Sequence, residues 1–210
     1  MRLFLSFIAL FGMALNISAL DIPEIFGNDM ILQRNTQCKI WGWAEANHYV
    51  RIVTGWDNHC YQVKAGSDGA WKVEVKTPEA SYKTYDITFT EYKSDPEKKA
   101  KGNQPIATSV SKDVLIGEVW FCSGQSNMEM PLGGFWNCPV EGANETILES
   151  KKYNSSIRVA TIAKDGKQEP QKKVAGKWEK AEPKNASRFS ACAYYFATTL
   201  TDALDVPVGV

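Results

Sequence analysis

The chain has 210 residues, 44% of them hydrophobic, enough for one large domain or two small ones with genuine cores. Its 24 Lys and Arg balance 24 Asp and Glu, so no whole-chain field gathers polyanions; nucleic acid is excluded as an expected partner, and neutral small molecules or sugars fit better. Two histidines, His48 and His59, have no neighbouring ligands at helical or finger spacing, and none of the five cysteines forms a CxxC pair, so a zinc site is not expected.

The first 21 residues, "MRLFLSFIALFGMALNISALD", place Arg2 before an apolar run from Leu3 to Leu15 and the small residues Ser18 and Ala19 before Asp21. This is the order of a secretory signal, predicted to occupy residues 1–19 and to be cleaved after Ala19. The run is shorter than the roughly 20 apolar residues that span a bilayer, and no later run is long and apolar enough. A secreted or periplasmic protein without a membrane span is expected. Export permits disulfides, and Cys38 with Cys60 is the first pair to consider among Cys38, Cys60, Cys122, Cys138 and Cys192. Cys122 reads better as a small buried hydrophobe.

Residues 20–110 read as short strands. "QCKIWGWA" and "YVRIVTGW" are β-rich, "AWKVEVKT" alternates strictly, and "KTYDITFTEY" alternates through Tyr85, Ile87 and Phe89. The turn "GSDGA" around Asp68 and Gly69 predicts a hairpin between its flanking strands. Strands at this spacing predict an all-β sandwich or jelly-roll-like module. The charged stretch "EYKSDPEKKAKGNQPIATSVSKD" reads as a solvated hairpin tip or linker, and the domain boundary is expected near residue 110.

The pattern then changes, and residues 111–210 read as α/β. "VLIGEVWFC" (114–122) is a nearly continuous apolar run, as in a strand covered on both faces, and "SIRVATIA" (156–163) is a second. "FSACAYYFATTLTDAL" (189–204) predicts a long amphipathic helix, and "VPVGV" begins a third strand, expected to lie as an unpaired apolar edge. Alternating strand and helix predicts a mostly parallel sheet, whose reactive groups gather beyond the carboxyl ends of its strands. Ser126, in "GEVWFCSGQSNMEMPLGG", occupies that position after the first of these strands.

A serine hydroxyl needs a base to take its proton and donors to hold an oxyanion. At a strand-to-helix corner, Gly124 permits a tight backbone and the first helical N–H groups point outward. The competing reading is a helix N-cap. The segment is not a GxSxG elbow, because Met128 stands where the second glycine would be.

"GEVWFCSGQSNMEMPL" resembles the nucleophile block of the sialate O-acetylesterase family, carbohydrate esterases of the SGNH hydrolase superfamily. "DMILQR", "GAWKVEVKTP", "FSACAYYFATTL" and "LDVPVGV" resemble the same family in the same order. The resemblance implies a flavodoxin-like three-layer α/β/α domain preceded by the β module. It makes Ser126 the nucleophile and one oxyanion donor, with Gly124, Gln125 and Asn127 shaping its corner. It implies an acetylated carbohydrate substrate, sialic acids or related glycans, and neither metal nor cofactor. No histidine follows Ser126, so the resemblance covers the first part of such an esterase, and the chain by itself is expected to be truncated and inactive. A domain cut short in this way predicts that proteolysis leaves a resistant fragment of residues 20–110.

Glu118 and Glu129 read as solvated or hydrogen-bonded rather than as an acid pair. Core packing is expected of Trp120 and Phe121, whereas Phe135 and Trp136, after Gly133 and Gly134, are equally compatible with stacking on a sugar. Asn144, Asn154 and Asn185 begin Asn-x-Ser/Thr sequons. The rival to an esterase is a non-catalytic glycan-binding or degenerate esterase-like protein in which Ser126 is structural.

Overall fold

The computed structural model describes residues 20–98 and 103–210; the expected signal segment lies outside them. In chain order the strands are β1 (Ile31–Gln33), β2 (Gln37–Trp43), β3 (Tyr49–Thr54), β4 (Cys60–Lys64), β5 (Ala70–Lys76), β6 (Ser81–Tyr92) and β7 (Pro105–Val119). There follow α1 (Ser126–Glu129), α2 (Ala143–Glu149), β8 (Ile157–Ala160), β9 (Trp178–Lys180), α3 (Pro183–Ala186), α4 (Ala191–Leu204) and β10 (Val208–Gly209).

One sheet runs β4-β3-β6-β7-β10-β8-β9, with β1 also on β7, while β2 and β5 form a separate antiparallel ribbon. Period-two patterning dictates the packing between them. Ile40 and Val75 on the ribbon, Val50 and Ile52 on β3, Ile87 and Phe89 on β6 and Val114 and Ile116 on β7 form one buried cluster. The hairpin expected at "GSDGA" does not form. The turn is present, with Gly69 at φ 77°, but β4 pairs with β3 and β5 with β2. The chain crosses here from one sheet to the other, because Trp71 and Val75 bury their side chains only by facing the larger sheet.

β7 is the hinge of the architecture. It pairs antiparallel with β6 from Pro105 to Ile116, then takes β1 in parallel at Leu115–Gly117 and β10 in parallel at Glu118–Val119. Residue 110 falls inside this strand. The polar stretch before it joins β6 to β7, with described residues 93–98 and 103–104 between the strands. Gly117 has a physical reason: a Cβ there would overlap the Pro207 carbonyl that accepts from Glu118 N–H.

The sheet beyond β7 is mixed. β10 is parallel to β7 and to β8, and β9, which the sequence reading missed, closes on β8 antiparallel. β10 is therefore not an unpaired edge but lies between β7 and β8. Val208 is fully buried there, in a second cluster with Ile157, Val159, Leu132, Phe189 and Tyr194. α4 ends at Leu204 as expected but begins at Ala191, two residues after the expected start, because Ser190 caps it by accepting from Ala193 N–H. The five cysteine thiols are all free, including Cys38 on β2 and Cys60 on β4.

The two clusters are tied by charge. Asp113 pairs with Lys180 and with buried Arg158 at 3.5 Å, and Lys180 also reaches Asp29 at 3.3 Å. Burial opposes ionisation of Asp113, but the Lys180 hydrogen bond and the Lys180 and Arg158 charges outweigh it and hold its pKa below the ordinary value.

Candidate active site

The carboxyl ends of β7, β10 and β8 meet at a cavity of about 430 Å³. Trp120 to Gln125 leave β7 along one wall, Thr161 and Ile162 continue from β8, Val210 from β10, and Met128 and Glu129 of α1 face Ala193 of α4. Strand ends in a parallel arrangement expose loops that need not pack, which is why the cavity forms here.

Ser126 begins α1 and is exposed at the cavity's border, next to Gly124 and Gln125, which line it; Asn127 is also exposed. α1 is one turn long, closed by Glu129 N–H to Gln125 O and Met130 N–H to Ser126 O, both 3.0 Å. The first N–H groups of any helix have no intrahelical acceptor, so they remain free to bind an anion at this corner. Gln125, not Ser126, occupies the N-cap position, and no side chain caps α1. Gly124 sits against Met128, whose Cβ would lie 3.1 Å from a Cβ at residue 124. Behind α1, Met128 Sδ lies 3.3 Å from Ser190 Oγ and Asn127 O accepts from Cys192 Sγ at 3.4 Å, which docks the turn on α4.

The strand beneath is braced by the "DMILQR" segment. Arg34 Nε donates to Glu118 Oε1 at 2.7 Å, Gln33 Nε2 to Glu118 Oε2 at 3.3 Å, and Val119 N–H to Gln33 Oε1 at 2.8 Å. Glu118 is thus committed to holding the end of β7, and Glu129 pairs with Lys164. Neither is set up as one of an acid–base pair across a sugar.

Trp120 and Phe121 overturn the expectation of core packing. Phe121 is 88% exposed and Trp120 46%, and both line the cavity. Once β7 ends at Val119 there is no facing layer, so they project over the cavity; Trp120 is held edge-on by Phe196 at 5.3 Å. Phe135 and Trp136 lie outside the cavity lining, in a tight turn closed by Phe135 and Cys138, with Trp136 98% exposed. Burial pushes the Cys122 thiol up, which makes it a poor nucleophile beside Ser126.

The histidines are elsewhere. His48 Nδ1 is 2.7 Å from Glu91 Oε1 at the start of β3, and His59 packs on Tyr61 beside β4. Among the described residues no three His, Cys, Asp or Glu side chains converge as a metal site would require. A larger, open groove of about 860 Å³ runs between Glu24–Asp29 and Lys177–Asn185, at the opposite ends of the parallel strands. It is lined by lysines and carboxylates that offset one another and holds no nucleophile. Of the sequons, Asn144 is exposed, but Asn185 is buried and its Nδ2 donates to Lys180 O and Glu182 Oε1.

No family model matches the chain. It is 26% identical over 193 residues to the sialate O-acetylesterase of Homo sapiens, across 87% of this chain and 34% of that protein. To the Mus musculus sialate O-acetylesterase it is 31% identical over 103 residues, 47% of this chain and 18% of the relative. A crystal structure of a carbohydrate acetylesterase from Xanthomonas citri superimposes with a TM-score of 0.75 at 27% identity, covering 90% of this chain and 39% of that one. The chain spans about a third of the length of the human relative it matches.

Proposed function

We propose, from a family likeness to the sialate O-acetylesterases that both sequence and fold support, that this chain is the nucleophile-bearing portion of a carbohydrate esterase. The observation that carries the reading is the Gly124–Gln125–Ser126 corner at the carboxyl end of β7, opening on a cavity walled by Trp120 and Phe121. In the whole enzyme, Ser126 Oγ attacks the acetyl carbonyl carbon while its proton passes to a histidine outside this sequence. The carbonyl oxygen becomes an oxyanion, held by N–H groups at the start of α1. The C–O bond to the sugar then breaks, the sugar oxygen takes the proton back, and water cleaves the acetyl-serine to acetate by the same route in reverse. Sialic acids or related acetylated glycans are the proposed substrates, and no cofactor takes part. The proposed architecture is a three-layer SGNH domain from about residue 111, behind a β module from 20 to 110. Export with loss of residues 1–19 completes the proposal, and a mature N-terminus near Leu20 in secreted protein tests that part.

In protein carrying the full length of the relatives, Ser126→Ala removes acetate release from O-acetylated sugars by several powers of ten. Activity above about a tenth of the parent would rule Ser126 out as nucleophile. The second reading is a glycan-binding or degenerate relative; His48, engaged with Glu91, and His59, packed on Tyr61, supply no base near Ser126 from within the described residues. Sugar binding without acetate release at full length would establish it.

A further inference from the structure

The outer face of the β2–β5 ribbon carries a groove of about 390 Å³ that the esterase reading does not use. Strand alternation sends Ile40, Trp71 and Val75 into the core and turns Trp41, Trp43 and Lys72 outward. Gln171 and Lys172, from the segment between β8 and β9, form the other wall. Between the two outward indoles the floor is bare backbone at Gly42, whose inward side is filled by the Trp71 ring; a Cβ there would lie 2.6 Å from it.

The two indoles are fixed in place. Trp41 meets Phe26 edge-on at 4.6 Å and its Nε1 donates to Lys172 O at 3.5 Å. Trp43 lies under Lys173 Nζ at 4.7 Å, and Lys173 is paired with Asp21, which itself bonds the Trp43 backbone. Rigid, partly exposed indoles cost little entropy to use in binding and suit the apolar C–H face of a pyranose. The charges decide which pyranose. Lys39 stands opposite Glu74 across the ribbon and Lys173 is satisfied by Asp21, which leaves exposed Lys72 and Lys172 flanking Trp41. Two cations beside a stacking surface complement a carboxylate.

We propose that this groove is a second carbohydrate site, on the β module, that binds a carboxylate-bearing sugar residue by stacking on Trp41 and pairing with Lys72 and Lys172. It uses none of the residues around Ser126 and stands independently of the esterase reading. Two sources supply such a ring, a uronic acid and a nine-carbon sialic acid. The 210-residue chain is titrated at low salt with trigalacturonate and with 3′-sialyllactose, and with neutral galactotriose and lactose as controls, following indole fluorescence and heat. At least one carboxylated probe binds, about tenfold or more tighter than its neutral control, and which one binds identifies the source. Trp41→Ala weakens that binding about tenfold or more, and the double variant Lys72→Gln/Lys172→Gln reduces it to the neutral level, both with unchanged circular dichroism. Ser126→Ala binds like the parent. Absence of binding by both carboxylated probes, equal binding of the neutral ones, or unchanged binding by either Trp41→Ala or the double lysine variant would overturn the proposal.

Discussion

Up to Ile116 the chain packs Ile40, Val50, Ile52, Trp71, Ile87 and Phe89 between a ribbon and a sheet, whereas after Trp120 the buried cluster relies on Ala181, Ala186, Ala191 and Ala197 around Phe189 and Tyr194. Alanines let α4 approach β8 and β10 closely, but each buries little apolar area. The same region leaves Phe121, Trp136, Leu148, Phe196 and Leu204 exposed. The candidate active site therefore sits on the half with the smaller core, while the large-residue core braces it through β7 and the Asp113–Lys180–Arg158 charges. Regions with fewer buried contacts open first, and functional loops are drawn from them.

The sharpest way to separate the halves is Gly117→Ala. Its Cβ strikes the Pro207 carbonyl, and both are backbone-fixed, so β10 must leave β7. A loss of about 3–5 kcal/mol is expected, confined to the second half: hydrogen exchange should rise at Val208 and Ile157 while Ile52 and Phe89 stay protected. Uniform loss of protection would mean that the halves unfold as one unit.

Next in size is Arg158→Ala. It removes a side chain that is 1% exposed, vacates its place in β8 and takes one cation from Asp113. About 3 kcal/mol should be lost in denaturant melts. The same network gives an acid signature. Because the folded pKa of Asp113 is depressed, its contribution is full above the ordinary carboxylate range and is lost as pH falls below about 3.8 through the folded value. Second-half probes should therefore weaken first in acid.

Asn185→Ala leaves Lys180 O without its side-chain donor and should cost about 1–2 kcal/mol in a thermal melt. Since Asn185 is engaged and buried, glycosylation in a eukaryotic host should be found at Asn144 by mass spectrometry and not at Asn185 in folded protein.

The smallest effect tests the far contact between the halves, where Tyr82 OH at the start of β6 donates to Asp205 Oδ1 at 3.0 Å beyond α4. Burial first, and then the Asp205 carboxylate, push the Tyr82 hydroxyl up to about 12. A raised pKa means stability present in full below pH 10 and lost as pH rises through about 12. Tyr82 is substantially exposed, so Tyr82→Phe should cost only a few tenths of a kcal/mol and should flatten the parent's alkaline decline between pH 10 and 12.

Local pattern determined much of this molecule. The alternation in "AWKVEVKT" is β5, the β-branched run "YVRIVT" is β3, and Ser190 ahead of an amphipathic stretch starts α4 one residue later. These rest on side-chain period and capping, which neighbours in sequence decide. The Ser126 corner was legible too, because a strand-like run, a glycine and a polar turn are local signals, and Gly124, Gln125 and Ser126 do fall together beyond β7.

Only the tertiary structure decided who pairs with whom. The turn at Asp68 and Gly69 looks the same whether its strands pair or part, and they part because Trp71 faces the other sheet. "VPVGV" reads as an edge until β8 arrives on its far side. Glu118 reads as a stray carboxylate until Arg34, 84 residues earlier, reaches it. Trp120 and Phe121 are as apolar as Val114 to Ile116, and their exposure follows from where the facing layer stops. Composition and period fix which residues need burial or a partner, but long-range pairing fixes what supplies it, and that depends on groups far apart in the chain.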